Sequence, residues 1–252
     1  VIMYSILRDT RNSSMPVWVT INEAVDIINN RTKSTVKFSD LCRFALYGHI
    51  TLSVYFQSPV ILRRVSVTKD NIIQTTEIDT ENIFSRICYL SSNCIMSNDN
   101  LIAKTEGNYV SAPHFIMDTS LRGSEYVAVQ KLLARELKLP PPLTGQYDIH
   151  YGVLVQDDNN TLYQVFESSS YSQRISRQLQ HLPVNIAAHF HEILNNTETK
   201  NATGHFPVYH FPDDACFVIK RDELEKFIHR FFPPSPAQQA STRLSTPVSR
   251  LL

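Results

Sequence analysis

The stretch from Thr35 to Phe56, TVKFSDLCRFALYGHITLSVYF, constrains the fold of this chain more than any other segment. Its first half repeats apolar residues at helical spacing, which predicts a helix with one buried face. We expect this helix to begin near Ser39 and to end at Gly48, because serine caps helix starts and glycine readily takes the left-handed conformation that ends a helix. The following ITLSVYF alternates and is rich in branched and aromatic residues, so it predicts a strand.

A second helix is predicted immediately upstream, over residues 20–29. Thr20 and Glu23 have the spacing of a capping box, in which each side chain binds a free amide of the first helical turn. From Ile21 onward, apolar residues recur at positions i, i+3, i+4 and i+7 and form one continuous face. The polar loop NNRTKST then leads into the helix–glycine–strand unit.

The rest of the chain alternates between helical and extended patterns. Helices are predicted over 80–90, 124–137, 171–182, 184–195 and 221–231. Strands are predicted over 59–67, 101–104, 108–112, 148–156, 161–167 and 215–219, the middle four as two hairpins, with 91–97 as a loop. We therefore expect an α+β fold with five to seven helices, in which an N-terminal helical, winged-helix-like module accompanies small antiparallel sheets with packed helices.

The proline run at 140–142 is the clearest candidate boundary, since proline ends the helix before it and stiffens the connection. The predicted organisation is a disordered leader over 1–15, a helix–helix–strand module over 16–68 and an α+β region over 69–139. Residues 140–232 then supply a hairpin and helices that close on the first module, and 233–252 form a disordered tail. The alternative is a single domain in which 140–143 is only a kinked connection.

Composition excludes several classes of protein. The net charge is zero, although residues 1–68 carry eight Lys/Arg against four Asp/Glu, and only six glycines are present, too few for glycine-rich phosphate loops. No signal peptide and no apolar run long enough to cross a membrane is evident. The four cysteines (Cys42, Cys88, Cys94 and Cys216) form no C-x-x-C pair, so we expect a reduced, cytoplasmic protein without a cofactor or metal.

The two ends of the chain resemble a known kind of DNA-binding module. A capped helix, a second helix ending in ALYGHI at 45–50 and the closing segment FVIKRDELEKF at 217–227 are similar to the winged helix-turn-helix of excisionase and MerR-type proteins. The chain departs from that family in the long loop between the first two helices and in about 160 residues that separate the strand from the closing helix. The phrase LSVYF is also similar to uncharacterised proteins of bacterial prophages and genomic islands, which implies an origin on mobile DNA.

The resemblance implies a set of contacts to double-stranded DNA. In that interpretation Arg43, Tyr47 and His49 face the major groove, and Asp40 on the same stripe opposes phosphate. The expected phosphate-binding residues are Lys33, Lys37, Arg63 and Arg64. The competing interpretation is a helix pair packed on a sheet, with Arg43 and Tyr47 as ordinary surface or interface groups.

Two further hypotheses concern the last third of the chain. Phe231 and Phe232 close the final helix and are predicted either to join the core or to dock a protein partner or a second copy of the chain. As an enzyme alternative, His205 and His210 precede Asp213 and Asp214, a composition compatible with a metal- or His/Asp-dependent hydrolase or nuclease. The sequence favours a non-enzymatic regulatory or adaptor protein that binds DNA or a protein through its N-terminal helical module.

Overall fold

The computed structural model of the chain describes residues 16–112, 115–143, 150–194 and 202–233. The predicted leader and all but Pro233 of the predicted tail lie outside the described residues. The described helices are α1 (Ile21–Thr32), α2 (Phe38–Leu46), α3 (Ile83–Tyr89), α4 (Ser92–Ser97), α5 (Ser124–Glu136), α6 (Tyr171–Gln180), α7 (Val184–Leu194) and α8 (Arg221–Phe231). The described strands are β1 (Trp18–Thr20), β2 (Ser53–Phe56), β3 (Ile61–Val65), β4 (Thr75–Glu77), β5 (Leu101–Ala103), β6 (Thr105–Ser111), β7 (Ile116–Asp118), β8 (Leu154–Gln156), β9 (Leu162–Ser170), β10 (Thr203–Pro207) and β11 (Ala215–Lys220).

The fold is α+β, as predicted, and the chain divides into two compact units. The terminal unit combines the residues up to Thr51 with those from Val218 onward. The central unit consists of residues Leu52–Phe217. The two ends of the chain therefore fold together, while the long middle part forms a unit of its own.

In the terminal unit, α1 begins as the sequence predicts. The Thr20 amide donates to the Glu23 carboxylate at 2.7 Å, and the Glu23 amide donates back to the Thr20 hydroxyl at 3.2 Å. This reciprocal capping box satisfies amides of the first turn, and Ile21, Ala24 and Ile28 are buried along one face.

Helix α2 ends as predicted but begins earlier than expected. The Asp40 carboxylate accepts the Lys37 amide at 3.0 Å, so Lys37 is the N-cap and Ser39 is buried inside the helix. The prediction of Ser39 as the cap was wrong because an aspartate three residues into the helix can satisfy the cap amide instead. At the other end Gly48 has a φ of +71° and its amide donates to the Ala45 carbonyl, which confirms its role in ending the helix.

The closing segment of the chain completes the terminal unit. Strand β1 pairs antiparallel with β11, in a register that places Trp18 opposite Lys220 and Thr20 opposite Val218. Helix α8 follows directly and buries Leu224, Phe227 and Ile228. This helix was predicted, and β1 was not, since three residues are too few to show an alternating pattern.

The central unit is built on one antiparallel sheet with the strand order β2-β7-β8-β9-β3-β6. Strand β9 is the longest strand of this sheet, and the second half of β9 also pairs with β10. The hairpin predicted around the turn at 157–160 is confirmed as β8 and β9. Strands β2 and β3, although consecutive in the chain, are separated in the sheet by β7, β8 and β9.

Helices α3, α4, α6 and α7 share one apolar core with Phe206 of β10. Two polar side chains of α6 bind the carbonyl end of α3 across this core. The Arg174 guanidinium donates to the Cys88 carbonyl at 2.9 Å, and the side-chain amide of Gln178 donates to the Leu90 carbonyl at 2.6 Å. These contacts satisfy buried carbonyls that a helix end leaves free.

Two local predictions in the central unit were wrong. Residues 91–97 are not a loop, because the Ser91 hydroxyl caps the short helix α4 at the Cys94 amide and the core buries Cys94 and Ile95. Strands β5 and β6 do not form a hairpin, since a single residue separates them; β5 instead pairs with β4 and β6 with β3. Strands β7 and β10 were not predicted.

Candidate functional site

Aromatic rings of α2 and α8 form a cluster at one surface of the terminal unit. The Phe44 ring lies 5.0 Å from those of both Phe227 and Phe231, measured between centroids. His49 lies 5.5 Å from Phe231. Phe227 is buried, whereas Phe44 and Phe231 are only half-buried and His49 is exposed, so the cluster extends from the core to the surface.

Beside this cluster lies a cleft of about 560 Å³, which we call the aromatic cleft. Its apolar and aromatic lining comes from Val36, Phe44, Tyr47, His49 and Phe232. Its polar lining comes from Ser34, Thr35, Asp40 and Arg43.

The loop between α1 and α2 forms one wall of the cleft and is held in place by Asn29. The Asn29 side chain donates to the Val36 carbonyl and accepts the Val36 amide, both at 2.8 Å. Its oxygen also accepts the Ser34 hydroxyl at 3.4 Å, and the Ser34 hydroxyl lies 2.6 Å from that of Thr32. A wall fixed by these hydrogen bonds is ordered before any ligand arrives, which lowers the entropic cost of binding.

Charged residues line and flank the aromatic cleft. Arg43 forms an exposed ion pair with Asp40 at 3.0 Å, and such pairs contribute at most about 1 kcal/mol to stability. Lys33 and Lys37 flank the loop wall and are exposed. The Arg230 guanidinium lies 5.1 Å from the centre of the Phe231 ring.

The structure brings together part of the predicted DNA-binding set. Arg43, Tyr47 and His49 line the same cleft as Phe232, one of the two predicted partner-docking residues. The other, Phe231, lies in the ring cluster beside the cleft. Lys33 and Lys37 adjoin the cleft through the loop wall. By its spacing, Phe44 belongs to the buried face that the sequence predicts for α2. Its place next to the α8 rings could not be read from spacing, since most of the chain separates the two helices.

Arg63 and Arg64 belong to the central unit and have partners within it. The Arg63 guanidinium donates to the Gly107 carbonyl at 3.1 Å and lies over the Tyr109 ring. Arg64 pairs with Glu106 at 3.6 Å. Both arginines therefore help to hold β3 against β6.

The two histidines of the enzyme alternative have different aromatic neighbours. The His205 ring lies 4.4 Å from the Tyr109 ring, whereas the His210 ring lies 5.6 Å from that of His181. Burial lowers the pKa of His210 and the neighbouring His181 lowers it further, while Asp213 acts in the opposite direction. Asp213 and Asp214 are exposed in the turn before β11.

No family model, curated protein or solved structure is significantly similar to this chain. Within the described ranges, no group of three or more His, Cys, Asp or Glu side chains is arranged to hold a metal ion. The helices of those ranges are all too short or too polar to cross a membrane.

Proposed function

We propose that this is a binding protein whose terminal unit holds a short segment of a protein partner in the aromatic cleft. The anchor of that segment is an apolar side chain with acidic residues beside it. The observation that supports this proposal is the combination of a preformed cleft lined by Phe44, Tyr47 and Phe232 with Arg43 at its polar side.

The apolar anchor follows from the lining and size of the cleft. Ligand pockets commonly measure about 300–1,000 Å³ and carry aromatic walls with a few polar groups, and the aromatic cleft meets both criteria. Tyr47 is 77% exposed, which leaves a large aromatic surface in water. Exposed tyrosine and arginine at the edge of a hydrophobic depression are typical of residues that dominate the energy of protein interfaces.

The acidic flank follows from charge. Asp40 is the anion in the cleft lining, and Arg43 already neutralises it. Lys33, Lys37 and Arg230 then leave the surroundings of the cleft positive. A partner with carboxylates beside its anchor gains attraction and faster association there, whereas a basic partner is repelled.

Double-stranded DNA is the second candidate, and the shared surface of Arg43, Tyr47 and His49 is the observation in its favour. The resemblance to excisionase and MerR-type modules points the same way. Asp40 would face phosphate in that arrangement, and Arg63 and Arg64 hold intramolecular partners in the central unit. A protein segment therefore accounts for the lining of the cleft better than a duplex does.

Selection from a randomised peptide library tests the proposal, followed by fluorescence anisotropy with the selected peptides. We expect the selected sequences to share an apolar or aromatic residue with aspartate or glutamate next to it. Arg43→Glu should weaken their binding by about tenfold or more, because it replaces attraction by repulsion. Tyr47→Ala should cost about 2 kcal/mol of binding energy, as expected for a central aromatic contact. Lys69→Glu is the control, since it reverses an exposed charge in the central unit and should leave affinity unchanged.

A duplex oligonucleotide titrated over a salt series provides the opposing measurement. Tight, salt-dependent DNA binding that Arg43→Ala and Arg63→Ala both weaken would favour the DNA function instead. Selected peptides without acidic residues, or peptides that bind Arg43→Glu as well as wild type, would refute the proposed partner. Concentration-dependent sedimentation shows whether the partner is a second copy of the chain.

A further inference from the structure

A cysteine, a histidine and an aspartate of the central unit form a line of successive side-chain contacts, separate from the aromatic cleft and from the residues of the enzyme alternative. The Cys94 sulfur is 3.6 Å from Nδ1 of His150, within the range of a hydrogen bond to sulfur. The other ring nitrogen of His150, Nε2, lies 3.4 Å from Oδ2 of Asp99. A nucleophile in reach of a base that a third group orients is the recurrent arrangement of covalent catalysis.

Backbone hydrogen bonds hold each member of the line in place. Cys94 lies in the first turn of α4, where its amide donates to the Ser91 hydroxyl at 3.1 Å. The Asp99 amide donates to the Cys94 carbonyl, and Asp99 Oδ1 accepts the Leu101 amide at 3.0 Å, which leaves Oδ2 for the imidazole. The His150 carbonyl accepts the Ala103 amide of β5 at 3.3 Å. These contacts hold the backbone of each residue in place and do not use the side-chain atoms that face one another.

Exposure rises along the line toward solvent. Cys94 is 3% exposed, whereas the His150 and Asp99 side chains are 14% and 26% exposed. The sulfur lies at the inner end, and the imidazole and carboxylate lie nearer to water. A substrate that reaches the sulfur must be slim at its reacting end, such as a small or extended acyl group.

Two of the other cysteines have surroundings that oppose reactivity. Burial raises the pKa of the Cys88 thiol to about 12, and burial also raises the pKa of Cys216. Both thiols therefore stay protonated near neutral pH, and protonated thiols are poor nucleophiles. Cys94 instead faces a base. Tyr209 also interacts with Cys94, but its pKa is raised by burial and its hydroxyl donates to the Tyr89 carbonyl, so it adds no charge near the sulfur.

We propose that Cys94 is the nucleophile of an acyl-transfer site in the central unit, with His150 as its general base and Asp99 as the residue that positions the imidazole. The substrate class is an ester or thioester of a small or extended acyl group. This activity goes beyond the binding function of the terminal unit, and neither depends on the other.

The chemistry balances with water as the second reactant. The Cys94 S–H proton moves to His150 Nδ1 while Nε2–H donates to Asp99, and the sulfur attacks the acyl carbon. The bond from that carbon to the leaving oxygen or sulfur breaks, the leaving group takes the proton from Nδ1, and an S-acyl cysteine remains. His150 then accepts a proton from water, the hydroxide adds to the acyl carbon, the C–S bond breaks and the thiol regains its proton.

Acetylation by p-nitrophenyl acetate is the test, with peptide mass spectrometry assigning the acetylated cysteine and released nitrophenol giving the rate. In the full chain at neutral pH we expect Cys94 to be acetylated at least about tenfold faster than Cys216, because His150 is placed to receive the Cys94 proton, whereas burial raises the pKa of Cys216. His150→Gln should slow the acetylation of Cys94 by about a hundredfold at neutral pH. The deficit should shrink at alkaline pH, where a thiol ionises without a base.

Asp99→Asn separates positioning from structure. If Asp99 acts through the imidazole, the variant lowers the rate at neutral pH and not at alkaline pH, whereas a purely structural defect lowers both. Cys216→Ser is the matched control and should leave acetylation of Cys94 unchanged. Cys94→Ala leaves a buried cavity and can unfold the chain. His150→Gln, with its fold checked by circular dichroism, is therefore the variant that tests the proposal.

Three results would overturn the proposal. One is a folded wild-type protein in which Cys94 stays unmodified while other cysteines react. Another is equal acetylation of Cys94 in wild type and His150→Gln at neutral pH. The last is a rate deficit in His150→Gln that persists unchanged at alkaline pH, which would show a structural role for the histidine.

Discussion

At the scale of single residues, Glu125 has a buried carboxylate that requires hydrogen-bond donors from its surroundings. Its carboxylate is fully buried at the start of α5. Three amides donate to it, those of Arg122 at 2.9 Å, Gly123 at 2.8 Å and Leu154 at 3.0 Å. The carboxylate thus ties the beginning of α5 to β8, and burial raises its pKa although these amides act in the opposite direction.

Replacing Glu125 by glutamine is expected to lower the free energy of unfolding by about 1–3 kcal/mol, because the new NH₂ group must face an amide donor. Replacement by alanine should cost about 3–5 kcal/mol, since it leaves three buried amides without acceptors and creates a cavity. Urea denaturation at neutral pH measures both values. Glu81→Gln, at an exposed position before α3, is a control that should change stability by less than about 0.5 kcal/mol.

The stability difference between wild type and Glu125→Ala should depend on pH. A raised pKa means that the folded state binds the proton more tightly than the unfolded chain, in which a glutamate titrates at about 4.3. The advantage of wild type is therefore full below that value and declines as the pH rises through the raised pKa of the folded state. Urea titrations of both proteins from acidic through neutral to mildly alkaline pH give this difference directly. An advantage that grew with pH would show that the three amides outweigh burial.

At the scale of elements, β9 pairs along both of its edges in the central sheet, and the backbone beside it is closely packed. One edge of β9 pairs with β3, and the other pairs with β8 and then with β10. The chain enters β8 through Gly152, which has a φ of +62°. A Cβ at this position would lie 2.6 Å from the Val208 carbonyl oxygen, so any side chain collides with backbone.

Gly152→Ala is expected to destabilise the protein by about 3 kcal/mol or more, because left-handed strain adds to a backbone collision. Gly107 is the matched control: its φ is +75°, but a Cβ there would meet nothing within 4 Å. Gly107→Ala should therefore cost only the strain, about 1–2 kcal/mol. Urea denaturation of the two variants separates the cost of the strain from the cost of the collision. Equal losses of stability in both variants would show that movement of residue 208 relieves the collision.

At the scale of the whole molecule, the two ends of the chain share one folding unit. Trp18, the single tryptophan of the sequence, lies in β1 opposite Lys220 of β11. The Thr51 amide donates to the Glu223 carboxylate at 2.9 Å, and Arg31 pairs with Glu225 at 2.7 Å. The terminal unit and its aromatic cleft therefore require contacts between residues separated by most of the chain.

A chain that ends at Phe217 should lose the folded terminal unit, because β1 has no partner strand and Phe44 has no α8 rings to contact. We expect the fluorescence of Trp18 to shift to the red, toward that of a hydrated indole, and its urea transition to disappear. A chain that ends at Pro233 keeps every described contact, so it should retain the native Trp18 emission and the urea transition of Trp18. A native Trp18 spectrum in the shorter chain would show that residues 16–51 fold without α8.

The sequence by itself determined elements whose signals are local. Capping at Thr20, the stop at Gly48, the hairpin of β8 and β9 and the helices α5 to α8 follow from periodicity and from the conformational preferences of single residues.

Tertiary structure decided the rest. Strands of three residues such as β1 and β7 carry no periodicity, and α4 forms because the core buries Cys94 and Ile95. The aromatic cleft joins α2 to the end of α8, and the Cys94–His150–Asp99 line crosses a gap of about 50 residues. Local preference acts only over a few neighbouring residues, so sites assembled from distant segments depend on packing that no spacing in the sequence records.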